Sequence, residues 1–196
     1  MKTIGKMLAA ALLLGCAQTA QAVPMFFHTT LSGLNEVPPN ASVGTGTADV
    51  MLDPDLNLLK IDVTFSGLSA PASAAHIHCC LASPFGPGSV IVSVPFTGFP
   101  NATSGTYSNT VDLTLAATYN GAFITAHGGT AATAEAALVA AMQLDETYVN
   151  IHDVNFPAGE IRGILVSVPE PVTLSLFGVG LAGAAALRRR KVKAKI

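Results

Sequence analysis

Positive charge is what this sequence lacks. Between residues 23 and 168 only Lys60 and Arg162 are basic, set against eleven Asp and Glu, which leaves a net charge of −9 with histidine neutral. Tryptophan is absent altogether, and charged residues of both signs make up 11% of the chain. An acidic body with no basic patch excludes nucleic acid as a partner, because phosphates are held by clustered Lys and Arg. No Gly-x-Ser-x-Gly elbow is present to expose a nucleophilic serine, and no Gly-rich loop leads into a Lys that would cradle phosphate. The central 146 residues suffice for one domain with a real core and are too few for a multidomain enzyme.

Apolar residues make up half the chain, and the mean hydropathy is +0.51. Much of that excess sits at the two ends, which also hold eight of the ten Lys and Arg. Residues 1–22 begin with Lys2 and Lys6, continue through an apolar run over 7–14 and end in Ala20-Gln21-Ala22. That is the pattern of a signal peptide cleaved after Ala22, with an apolar run too short to span a bilayer. The stretch ending in Leu14-Gly15-Cys16 also fits a lipobox, though loosely, because Leu14 is bulky for that position. Residues 168–196 contain Pro169-Glu170-Pro171, an uncharged stretch over 172–187, and a basic tail over 188–195. As a helix the uncharged stretch predicts a membrane span, and the cations after it stay cytoplasmic. The three parts, in this order, closely resemble the PEP-CTERM sorting signal of Gram-negative bacteria. The resemblance implies recognition by an exosortase-type enzyme and delivery to the cell surface or extracellular matrix.

The body, residues 23–167, alternates apolar and polar residues. Ile61, Val63 and Phe65 interleave with Lys60, Asp62 and Thr64, and Val111, Leu113 and Leu115 with Asp112 and Thr114. Period-two alternation predicts half-buried strands. Further candidates lie at 25–31, 45–52, 74–79, 89–94, 121–125, 146–152 and 160–167, with Gly- and Pro-rich punctuation between them. The expected fold is all-β, an antiparallel Greek-key-like sandwich of about eight to nine strands. One Ala-rich segment, near 132–143, predicts a single helix.

Several motifs recur through this body in a fixed order: LSGLNEVPP at 31–39, GTG at 44–46, FSGL at 65–68, AHIH at 75–78, YVNIH at 148–152 and FPAGEIRG at 156–163. Together they resemble a CHRD domain over about residues 25–166, a module named from chordin and common in secreted bacterial proteins. Two positions depart from the family pattern: Ala158 stands where Gly is usual, and Cys79-Cys80 where a Gly is common.

His76-Ile77-His78 is the feature closest to chemistry. On a strand, residues two apart share a face, so an inward Ile77 turns both imidazoles the other way. The same parity places Tyr148, Asn150 and His152 opposite Val149 and Ile151. Three histidines on one face form a zinc or copper site if their strands adjoin; otherwise they hydrogen-bond to loop backbones. Cys79 and Cys80 remain after loss of the leader. They form a vicinal disulfide, stay as thiols, or offer thiolates beside His76 and His78. Glu36, Glu160 and Arg162 read as architecture, with Arg162 in a buried or half-buried pair. The expected function is a noncatalytic structural or adhesive role at the cell surface or in the exopolysaccharide matrix, with polysaccharide or protein as partner. A metal-binding or redox module is the alternative, and an envelope-polymer hydrolase the weaker one.

Overall fold

The computed structural model describes residues 23–80 and 91–169, together with Gly180. The leader with its cleavage site at Ala22, Glu170, Pro171, the basic tail and, apart from Gly180, the predicted span all lie outside the described residues. No helix among the described residues is long and apolar enough to cross a membrane.

Nine strands follow one another as β1 (Met25–Ser32), β2 (Thr45–Asp53), β3 (Leu58–Ser66), β4 (Ala74–Cys79), β5 (Ile91–Pro95), β6 (Gly105–Asp112), β7 (Thr147–His152), β8 (Ile161–Ile164) and β9 (Val166–Val168). All pair antiparallel along the path β5-β4-β7-β8-β1-β2-β3-β6, with β9 added to β1. The sheet curls until its ends approach. The Phe96 ring just beyond β5 stacks on Tyr107 of β6 at 5.2 Å, and the Tyr107 hydroxyl donates to the Thr97 carbonyl. The fold is all-β, as the alternation predicts.

The period-two pattern sets which face is inside. Leu59, Ile61, Val63 and Phe65 of β3 are buried, and so are Phe27, Thr29 and Leu31 of β1. In the strands that matter most here, Ile77, Val149 and Ile151 are fully buried, worth about 1.5–3 kcal/mol each. The central strand β7 is covered on both faces, with Tyr148 and Asn150 buried beside Val149 and Ile151.

Two helices close one side. α2 (Ala131–Gln143) matches the predicted helix and starts at a Thr130–Thr133 capping box. It buries Ala134, Leu138, Ala141 and Met142, the spacing of one helical face. The segment 121–125, expected as a strand, is instead helix α1 (Gly121–Ala126). The Asn120 side chain caps it by accepting from the Ala122 amide, and that local bond decides the conformation of a short apolar run. The alternation over 111–115 likewise overstates the strand. β6 begins earlier, at Gly105, and ends at Asp112, whose carboxylate accepts from the Thr114 amide and turns the chain. The expected 160–167 strand is split at Leu165, which turns into the core between β8 and β9.

Candidate functional site

Register brings the three histidines together. Antiparallel pairing of β4 with β7 sets His76 opposite Asn150, His78 opposite Tyr148 and Ala74 opposite His152. The ring centroids lie 5.0 Å apart for His76 and His78, 4.6 Å for His76 and His152, and 6.4 Å for His78 and His152. Nδ1 of His76 stands 3.2 Å from Nε2 of His78. One ring nitrogen from each of the three residues falls within 4.8 Å of the others. Ligands on a tetrahedral ion at about 2.0–2.1 Å stand roughly 3.4 Å from one another, so the three nitrogens converge on the scale of a metal site.

Protonation favours donation to a metal. His152 Nδ1 lies 3.1 Å from the Pro157 carbonyl, which can only accept, so Nδ1 carries the hydrogen and Nε2 keeps its lone pair. That Nε2 is buried without a hydrogen-bond partner. A carbonyl fixing the far nitrogen of a histidine is the usual arrangement behind a ligating imidazole. Burial holds His152 below the ordinary histidine range, and the Pro157 bond opposes this only in part. His76 is pushed down to about 3, first by burial and then by the neighbouring His152 and His78. Both imidazoles therefore stay neutral at physiological pH, the form that binds metal.

Aromatic and cationic groups support the cluster. The His78 ring stacks on Tyr148 at 4.6 Å with 4° between planes, and the Arg162 guanidinium lies 4.0 Å from the centroid of the Tyr148 ring. Strand order puts β4 on one side of β7 and β8 on the other, so Tyr148 is held between His78 and Arg162. The sequence places Tyr148 on the histidine face but gives no sign of this stacking. The period-two spacing of Tyr148, Asn150 and His152 was the available signal.

The turn between β7 and β8, which supplies Pro157, is held by buried carboxyls. Glu36 accepts from Asn150 Nδ2 at 2.7 Å and is pushed up to about 7, because burial outweighs the attraction of Arg162 and the Asn150 bond. Glu160 accepts from the Ser42 hydroxyl at 2.6 Å and the Ser69 amide at 2.7 Å, and burial raises it. Asp153 takes the Ser69 hydroxyl at 2.6 Å and the amides of Asn155 and Phe156. Glu36, Glu160 and Arg162 thus serve as architecture, with Arg162 acting on Glu36 through its charge and on Tyr148 through its face.

The other predicted residues fall elsewhere. Cys79 and Cys80 are joined by a disulfide. Cys79 is buried on the face of β4 opposite the histidines, so thiolate ligation beside His76 and His78, one of the sequence alternatives, is not what the structure shows. His28 pairs with Asp49 at the surface at 2.7 Å, and His127 lies against the Phe123 ring.

Comparison with protein families accounts for both the body and the tail. No curated protein and no solved structure gives a match. A model described as the PEP-CTERM protein-sorting motif matches residues 167–191, which makes this an exported, membrane-processed bacterial protein of the exosortase-sorted kind. The model of the CHRD domain matches residues 27–165, which take in every strand from β2 to β8, the three clustered histidines and the turn between β7 and β8, and the chain belongs to the CHRD domain family.

Proposed function

We propose that this exported protein is a noncatalytic component of the cell surface or extracellular matrix whose CHRD domain holds one zinc or copper ion on His76, His78 and His152. The observation that carries the reading is the buried Nε2 of His152, a lone pair with no protein partner beside two further imidazoles. A buried acceptor left unpaired costs about 1–3 kcal/mol, and an ion bound there removes that cost. Neutral imidazole suits zinc and copper above harder cations. Three protein ligands leave the ion an open position. The surface role is supported by the sorting motif and by an acidic body that exposes few cations. Metal analysis of untagged protein is the test. One zinc or copper per chain, lost in His76→Ala/His78→Ala, supports the site, and a metal-free protein after micromolar exposure refutes it. Intact mass from the native host, together with surface labelling, checks export and removal of the tail.

A further inference from the structure

A recess opens beside His76, where β4 begins and β5 ends. Its volume is about 270 Å³, and its walls include Ser73, Ala74, His76, Pro95, Thr97 and Phe99. Register explains its place. Ala74 sits opposite His152 across the β4–β7 pairing, and Pro95 sits opposite His76 across β4–β5. The recess therefore lies beside His76, between the start of β4 and the end of β5. Pockets for drug-sized molecules run about 300–1,000 Å³, so this one takes something smaller.

The lining decides the class of ligand. It contains no Lys, Arg, Asp or Glu. Two side-chain hydroxyls, those of Ser73 and Thr97, join backbone groups and the apolar surfaces of Ala74, Pro95 and Phe99. The body around it is strongly acidic, which repels an approaching anion. His76 belongs both to the recess wall and to the three-histidine cluster, so an ion held by the histidines would offer a negative group attraction at the recess. A carboxylate would be drawn to such an ion, and its hydroxylated remainder would be received by the neutral hydroxyls of Ser73 and Thr97.

We infer that the recess beside His76 binds a compact hydroxylated carboxylate, whose acid group coordinates the histidine-held ion and whose hydroxyls meet Ser73 and Thr97. This rests on the metal reading above. The chemistry has two sources, a free small hydroxy acid or an acidic sugar unit within an exported polysaccharide. The second would fasten an acidic protein to an acidic polymer through the ion between them.

The experiment uses the exported protein loaded with zinc, its metal content measured first, titrated with glucuronate, glucose and acetate by calorimetry. Glucuronate binds, acetate binds about tenfold more weakly, and glucose does not bind. Thr97 is exposed, so Thr97→Phe fills the recess without touching a histidine, and Thr97→Val removes only the hydroxyl. Thr97→Val weakens glucuronate about fivefold and Thr97→Phe abolishes it, both with zinc content unchanged. Titration with an oligomer of uronic acid separates the sources: tighter binding than the monomer indicates the polymer, and equal binding the free acid. Zinc bound with no glucuronate affinity, or with affinity unaltered in both Thr97 variants, overturns the recess proposal and leaves the metal site standing. Failure to hold zinc at all overturns the metal site, and the recess proposal with it.

Discussion

Two polar regions are built against the same central strand, and burial acts on both in the same direction chemically. On one side His76 and His152 are driven toward the neutral imidazole, and on the other Glu36 and Glu160 are driven toward the neutral acid. The difference lies in what surrounds them, since buried acceptors without a partner occur in both, Asn150 Oδ1 and Glu160 Oε2 in one and His152 Nε2 in the other. Around the carboxyls, Ser42, Ser69 and Asn150 supply donors, and Asp153 receives the backbone amides of its own turn. Around the histidines, three basic nitrogens converge and the Nε2 of His152 stays unpartnered. Three converging imidazole nitrogens suit a cation, whereas the carboxyls are tied into the fold by the hydroxyls and amides around them.

The sharpest way to break this contrast is to remove the imidazoles. His76→Ala/His78→Ala lowers zinc affinity by more than about a hundredfold, beyond the 10–100-fold expected for loss of a supporting group. Differential scanning calorimetry gives the same answer in another form. Zinc at about 100 times its dissociation constant adds roughly 2.7 kcal/mol of stability to the native sequence and none to the double variant.

The acidic region is tested by crowding it. Gly159 has φ +132°, and a Cβ there would fall 2.5 Å from Asn150 Nδ2 and 2.6 Å from Glu36 Oε1. Gly159→Ala therefore costs about 2 kcal/mol or more in urea unfolding. It also displaces the turn carrying Pro157, so zinc affinity falls with it. Unaltered metal binding in a destabilised Gly159→Ala would show that the two regions are independent.

Tyr148 sharpens the comparison from the histidine side. Tyr148→Ala frees His78 to rotate and weakens zinc about tenfold, while Tyr148→Phe keeps the stacking and changes it little. Equal losses in both variants would assign the effect to the hydroxyl instead.

The comparison is sharpened further by a pair of opposite pH trends in the metal-free protein. His76 titrates near 6.5 when unfolded and near 3 when folded, so its contribution is complete above pH 6.5 and is lost as the pH falls toward 3. Glu36 titrates near 4.5 unfolded and about 7 folded, so its contribution is complete below pH 4.5 and is lost as the pH rises toward 7. Thermal melts of Glu36→Gln lack the second trend and keep the first. A variant that follows the native curve through both windows would remove Glu36 from the account.

Alternation made β3 legible, and it placed His76, His78 and His152 on outward faces of two strands. Whether those strands adjoin was beyond it, since β4 and β7 are separated by β5, β6 and both helices in the chain. The start of β6 was illegible for a different reason. Residues 105–110 offer only Tyr107 to the core, and an end strand with so little to bury has almost no apolar signature. Helix α1 is illegible because an apolar run of five residues fits either period, and the Asn120 cap decides it. The carboxyl network joins Glu36 to Asn150 and Ser42 to Glu160 across more than a hundred residues, a separation that leaves no local trace.

The pairing of β9 with the start of β1 means that the chain enters and leaves the domain at one pole, Phe26 lying beside Val168. Arg162, which pairs with Asn150 at the level of His76, sits opposite Ser32, six residues along β1 from Phe26, or about 20 Å at 3.3 Å per residue. The imidazoles therefore stand on the half of the domain away from the pole where the chain enters and leaves. Trimming either end at that pole would leave the outward-facing chemistry as it was.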